Sequence, residues 1–440
     1  MTMSLIRQLG RMPRAAALIA AAVVAAAAAT SACAQNRLTD AAAAPALGSL
    51  IAEALQNNPE LRAAAKETEA ANQRVRPAGA LEDPMLEAGF LNLPAQSLRF
   101  NREDMTMKML GLSQKLPYPG KRALREQVAA KDAETLGYGL RETTNRVVRD
   151  IKLAYFDLAL TDETVRLLQN NRQILEQFLR IAESRYAVGQ AAQADVLKAQ
   201  TQLGRMTEEL LRMERERPVT EAELVRLLGR RGNALPIAVE LPSLRDAAFN
   251  FESLQETALR ERPQLLGLQS AIDRSAKTLE LARKDNLPDF DLRFSYGQRE
   301  KDPTGMPRQD LISLTVAMNL PVWRADKIEP RIAEAQAMRD QALEMLQAQQ
   351  NEVLARLRQQ TAVTEQSRKS VRLYETDILP QARLAVEATL AAYRVSRVDL
   401  LTLLDSQMTL SSYEISRAKE LVNFNKALAE IDLLTGKQIF

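Results

Sequence analysis

The sequence has 440 residues, with 59 basic and 56 acidic side chains, 4% aromatic residues, 16 glycines and no histidine. Ala, Leu, Glu, Gln and Arg dominate, a composition of long helices rather than of compact mixed folds. Lacking histidine, the chain lacks the commonest metal ligand and the commonest general base. No other nucleophile, base and orienter constellation is visible, so the chain reads as a non-enzyme without a cofactor.

Residues 1–34 read as an export signal. Arg7, Arg11 and Arg14 precede an apolar run, residues 15–29, that is too short to span a bilayer. Once this segment is set aside, 56 basic residues face 56 acidic ones. The net charge of +3 therefore belongs to the signal and implies no nucleic-acid partner. Two processing outcomes compete at the single cysteine, Cys33. Ala32 and Ala34 fit cleavage by ordinary signal peptidase, whereas Thr30, Ser31, Ala32 and Cys33 resemble a lipoprotein box that would leave Cys33 acylated at the new N-terminus.

The rest of the chain is one unit written twice. At an offset of 204, Ala54, Leu55, Pro59 and Leu61 return as Ala258, Leu259, Pro263 and Leu265; Pro84 returns as Pro288, and Leu116 with Pro117 as Leu320 with Pro321. Farther on the offset becomes 207, and Tyr186, Leu197, Gln200 and Leu203 return as Tyr393, Leu404, Gln407 and Leu410. The first repeat is assigned to residues 35–242 and the second to 243–440. Each half reads as helix, two short strands, then two long helices.

In the first half the strands fall at about residues 85–93 and 104–116. Met105, Met107 and Met109 alternate with Thr106 and Lys108. Thioethers are soft ligands for Cu(I), but this stripe reads as packing on a lipid face, with Lys108 opposite. Pro117, Pro119 and Gly120 turn the chain into a helical pattern that runs to about Tyr186. At 1.5 Å per residue that is a rod of about 100 Å, too long for a compact domain. After Gly189 the chain turns back, and Ala199, Leu203, Met206, Leu210 and Met213 follow coiled-coil spacing.

In the second half the strands fall at about 289–297 and 310–320. Phe290, Leu292, Phe294 and Tyr296 alternate with Asp291, Arg293, Ser295 and Gly297; Ile312, Leu314, Val316, Met318 and Leu320 alternate with Ser313, Thr315, Ala317 and Asn319. The helical hairpin that follows turns at Ser396, and Pro380 marks a kink or break in its first helix.

After Cys33 no apolar run of 18 residues occurs, so a closed barrel is the only route into a bilayer. Four strands cannot close alone. Three chains give twelve strands around an open lumen, with Asp291 and Arg293 lining water. The competing reading is a periplasmic coiled-coil scaffold or adaptor whose strands form a small soluble sheet.

At this point the chain resembles the TolC-like outer membrane factors from about Leu47 to Thr435. Ser113, Gln114, Leu116, Pro117, Tyr118, Pro119, Gly120 and Lys121 look like the strand exit of the branch that works with heavy-metal efflux pumps. Tyr393, Leu404, Asp405 and Gln407 look like the inner tip of the tube. The resemblance implies a homotrimer whose twelve-stranded barrel continues as a periplasmic helical tube. It further implies a passive conduit, located in outer membrane lipid and opened by a periplasmic adaptor and an inner membrane pump of the resistance-nodulation-division type. By its distance from Tyr393, Asp405 matches an acid of the family's constricting ring, which makes Asp405, Thr402 and Tyr393 the expected gate. Thr402 departs from a second acid, and Val398 from an arginine of the gating link. Gly189, Ser396 and Arg397 are the expected adaptor-contacting tips. Drug and protein export remain open beside metal export.

Overall fold

The computed structural model describes residues 46–230, 236–244 and 250–439; the export signal and Cys33 lie outside them. Helices α1 (Leu47–Asn57) and α2 (Pro59–Gly79) lead into strands β1 (Met85–Leu91) and β2 (Met107–Leu116), then into α3 (Lys121–Ala187) and α4 (Gln193–Leu227). The second half repeats the order with α5 (Phe251–Glu261), α6 (Pro263–Lys284), β3 (Phe290–Gln298) and β4 (Leu311–Met318). It ends with α7 (Glu329–Leu373), α8 (Leu379–Arg394) and α9 (Leu400–Thr435).

Each half opens with a helix broken by proline. Pro59 and Pro263 cannot donate an amide hydrogen but fit the first turn of a helix, so each starts α2 or α6. The Asn58 Oδ1 caps the first break by accepting from Glu60 N at 2.8 Å and Leu61 N at 3.3 Å. Two glycines then seat the ends of the hairpins on these breaks. Gly229 (φ 70°) lies so close to Asn57 that an added Cβ would come within 2.6 Å of its carbonyl oxygen, and Gly436 (φ 72°) would meet Arg262 Cα at 2.9 Å. The two are 207 residues apart, the offset of the tips.

Helix α3 runs unbroken for 67 residues, about 100 Å at 1.5 Å per residue; Gly137 and Gly139 do not interrupt it. Its counterpart is divided. A π-helical turn at Tyr374–Ile378 separates α7 from α8, immediately before Pro380. The kink expected at Pro380 is thus a wide turn that accommodates the proline ring while the helix continues. A second π-turn, Arg324–Ile328, starts α7.

The four strands form one antiparallel sheet in the order β1-β2-β3-β4. Their ends fall within three residues of the expected ones, and those at Met85 and Leu116 coincide. The second hairpin is also slipped by two residues relative to strict duplication: Leu86 lies opposite Leu112, whereas its counterpart Phe290 lies opposite Met318 rather than Val316. A slip of two preserves which face each side chain takes.

The core is thin and distributed along the rod. One apolar cluster gathers Leu50, Ile151, Leu158, Leu224 and Leu228 near the middle; another gathers Phe178, Ala182, Ala199, Tyr393, Leu400 and Leu403 near the hairpin tips. Between α3 and α9 a buried ion pair, Lys152 Nζ to Asp432 Oδ2 at 2.6 Å, ties the two halves together. No helix among the described residues is long and apolar enough to cross a membrane.

Candidate functional site

The site has two parts, the sheet and the hairpin tips. Cross-strand pairing places Leu86, Leu110, Leu112, Leu292, Phe294, Tyr296, Ile312, Leu314 and Val316 on one face. Glu87, Gly111, Ser113, Lys115, Asp291, Arg293, Ser295, Ser313 and Thr315 share the other. Among the described residues no helix packs extensively across either face. The apolar face is open, with Leu314 68% exposed, while the polar face is open only in part: Ser113 is 7% exposed, but Arg293, Ser313 and Thr315 are exposed. An uncovered apolar face of this extent requires lipid or another apolar surface against it.

Polar groups bound the apolar band. At the loop end Lys108 pairs with Glu300 at 2.8 Å, and its ammonium lies 4.9 Å from the centre of the Phe100 ring. At the helix end Gln114 donates to Glu82 O at 2.7 Å. Asp291 and Arg293 lie on the polar face, 3.3 Å apart.

The methionine stripe requires a correction. Met105 precedes β2, and Met107 and Met109 lie on the polar face beside Gly89 and Gly297, while Lys108 is on the apolar face. Alternation within one strand leaves the choice of face open, and the neighbouring strands decide it. Met107 is only 5% exposed and leans over Gly297, where an added Cβ would meet its sulfur at 2.4 Å.

Strand exit and helix start are joined by Lys121, a residue whose burial the sequence does not signal. It is 2% exposed, and its ammonium donates to Leu287 O at 3.1 Å and Asp289 Oδ1 at 2.9 Å. The Asp289 carboxylate also accepts from Tyr118 N at 2.8 Å. Burial raises its pKa, but the hydrogen bonds from Tyr118 and Lys121 and the charges of Lys121 and Arg125 outweigh this and hold it below the usual range.

At the far end the two hairpins turn in the same way. Gly189 N donates to Tyr186 O and Gln190 N to Arg185 O, at 2.9 and 2.8 Å; Ser396 N donates to Tyr393 O and Arg397 N to Ala392 O, at 3.1 and 2.9 Å. Gly189 (φ 73°) and Ser396 (φ 59°) both take the left-handed conformation that ends a helix. Val188 and Val395 stand exposed beside them, as does Arg397.

The expected gate residues separate into two groups. Tyr393 is 2% exposed, packed in the tip core beneath Arg185, whose guanidinium carbon is 4.6 Å from the ring centre. Burial pushes its phenol up, with the Arg185 charge opposing and Asp195 adding to the rise. Arg185 also donates to Tyr393 O and Ser396 Oγ, and to Gln190 O at 3.4 Å, so it clamps one hairpin tip to the other. This clamp is absent from the repeat pattern, since Ala392 is the counterpart of Arg185. Asp405 and Thr402 are exposed on α9, away from Tyr393's pocket. Thr402 serves as part of a helix cap, its amide donating to Asp399 Oδ1 at 3.0 Å. Among the described residues no group of His, Cys, Asp and Glu is arranged to hold a metal ion.

Comparison with known proteins agrees with this geometry. The family description for outer membrane efflux proteins matches residues 50–230 and 254–437. Outer membrane protein TolC of Vibrio cholerae is 24% identical over 392 residues, 86% of this chain and 87% of that protein. The pyoverdine export outer membrane protein OpmQ of Pseudomonas putida is 23% identical, over 87% of this chain and 84% of its own length. Among solved structures, CusC superposes with a TM-score of 0.75 at 14% identity, covering 89% of this chain and 92% of that one. The open-state MtrE channel of Neisseria gonorrhoeae gives 0.73 at 16% identity, covering 90% of each. The chain belongs to the outer membrane efflux protein family, and is a non-enzymatic outer membrane channel component of tripartite efflux systems.

Proposed function

We propose that three copies of this chain close a twelve-stranded barrel continued by a periplasmic helical tube, and that the tube exports heavy-metal cations. The observation that carries the channel reading is the two-faced sheet: an uncovered apolar face outside, Asp291 and Arg293 on the polar face inside, and too few strands in one chain to enclose a lumen. An adaptor would meet the tube at Gly189, Ser396 and Arg397, with Val188 and Val395 as apolar contacts, and a resistance-nodulation-division pump would supply the cargo.

Asp405 lies on an exposed stripe of α9 with Leu401, Thr402 and Met408. Three such carboxylates around a threefold axis would favour cations at the narrowest point. Tyr393 acts from beneath, through its packing with Arg185. The strand exit from Ser113 to Lys121 supports the heavy-metal branch by lineage, since Lys121 itself is occupied in holding strand to helix. A second cargo reading, pyoverdine export, rests on the similarity to OpmQ.

Single-channel recording in planar bilayers, comparing the native sequence with Asp405→Ala, tests the reading. Discrete steps with reduced cation preference in the variant are expected. Folded protein without any conductance would refute the channel. Sensitivity of a deletion strain to heavy metals, measured beside its pyoverdine secretion, separates the two cargoes.

A further inference from the structure

Helix α6 packs on both α3 and α7, and the three helices leave a groove between them. Two cavities follow it, of about 540 and 440 Å³, and both are lined by Leu268, Ala271 and Met345. On α6 the lining runs from Gln264 to Thr278, about 21 Å at 1.5 Å per residue. Every wall of this groove belongs to one chain.

The two ends differ in chemistry. Toward Thr278 the walls include Ala335, Met338 and Ala342, and the ion pair of Arg274 with Asp132, at 2.7 Å, adds no net charge. Met338 and Met345 are each 52% exposed; thioether side chains are flexible and polarizable, and reshape around varied apolar ligands. Toward Gln264 the lining holds Glu142, Gln349 and Glu352, and among the described residues that line this end there is no lysine or arginine. Arg262 donates to Glu142 Oε1 at 3.0 Å, and Glu352 pairs along its own helix with Arg356 at 2.6 Å. Two acceptors are left over: Glu142 Oε2 and Gln264 Oε1 are buried and accept no hydrogen bond, a costly state for a buried polar atom. The first repeat does not share it, since Glu60, the counterpart of Gln264 at the offset of 204, is ion-paired with Arg146. Gly139 keeps this end open. A Cβ added there would meet nothing within 4 Å, so no neighbour demands glycine at a position inside α3 where it weakens the helix.

We propose that this groove binds an amphiphilic organic ammonium ion. Its N–H donors meet Glu142 Oε2 and Gln264 Oε1, and its apolar body lies along Leu268, Ala271 and Met345 toward Met338. The lining selects this class. An anion would face the carboxylates of Glu142 and Glu352, a hydrated metal ion would lose water against apolar walls, and a neutral apolar molecule would leave both acceptors unmatched. The site is separate from Asp405 and from the sheet, and it does not depend on closure of the barrel.

The test is calorimetric titration of the full-length protein in an uncharged amphipol, where no micelle competes for the probe. The probes are 4-phenylbutylamine, protonated at neutral pH, and 4-phenylbutan-1-ol, its neutral match. The amine is expected to bind once per chain, about tenfold or more tighter than the alcohol, the worth of a charge-assisted hydrogen bond. Gly139→Leu fills the groove and should weaken the amine by about tenfold or more. Because this change favours the helix and its Cβ meets no neighbour, a loss of binding with unchanged circular dichroism and melting reports the groove rather than the fold. Gln264→Leu should erase most of the preference for amine over alcohol. Equal binding of the two probes to the native chain would mean that water satisfies the acceptors, and would overturn the ammonium assignment. Amine binding unchanged by Gly139→Leu would place the ligand elsewhere, and no binding of either probe would refute the groove as a site.

Discussion

Placing an arginine at Leu314 tests which face of the sheet meets lipid. Leu314 sits near the middle of β4, opposite Phe294, on the uncovered face. An arginine facing lipid at the bilayer midplane costs about 2–4 kcal/mol, falling to about 0–1 near the interfaces. At about 1.4 kcal/mol per factor of ten, Leu314→Arg should lower the folding equilibrium per chain by roughly 30- to 1000-fold. Ser313→Arg is the matched control, one residue away but on the polar face opposite Ser295, and should cost little. Urea titration of refolding into liposomes, read by heat-modifiable mobility, measures both. Equal costs would refute the two-faced sheet, and a larger cost for Ser313→Arg would reverse its faces.

Lys152→Met should destabilise the fold by about 3–5 kcal/mol, because it leaves the buried Asp432 carboxylate without its ammonium; adding Asp432→Leu should recover much of the loss in denaturant titrations. The lowered pKa of Asp289 makes the Lys121 joint acid-sensitive. Its contribution is fully present above the unfolded carboxylate pKa, about 3.9, and is lost as pH falls through the lower folded value. Acid unfolding followed by circular dichroism should show this dependence in the native chain and lose it in Asp289→Asn. Arg185→Ala removes a cation–π contact and several charged hydrogen bonds between the hairpin tips, together worth on the order of 2 kcal/mol. A rise of about tenfold or more in open probability is expected in bilayer recordings, and an unchanged value would mean that the clamp stays closed during opening.

Much of this architecture is written in neighbouring residues. The alternation from Phe290 to Tyr296 makes a strand with unlike faces, the helical stretch after Gly120 makes a rod, and the offsets of 204 and 207 make two similar halves. These are local signals, carried by the periods of strand and helix. Tertiary structure decided what depends on distant partners. Met107 and Met109 alternate in the sequence as they would on either face, and the pairing of Met109 with Gly89 and Gly297 put both on the polar one. Lys121 looks like an ordinary first-turn lysine until Leu287 and Asp289 enclose it. Gly229 and Gly436 read as simple helix stops, yet they are glycine because Asn57 and Arg262 approach them too closely for a side chain. Arg185 has no counterpart in the second repeat and gains its role only when Tyr393, 208 residues away, folds beneath it. Periodicity fixes which face of its own element a residue takes, but the identity of what lies against that face is set by chain segments hundreds of residues apart.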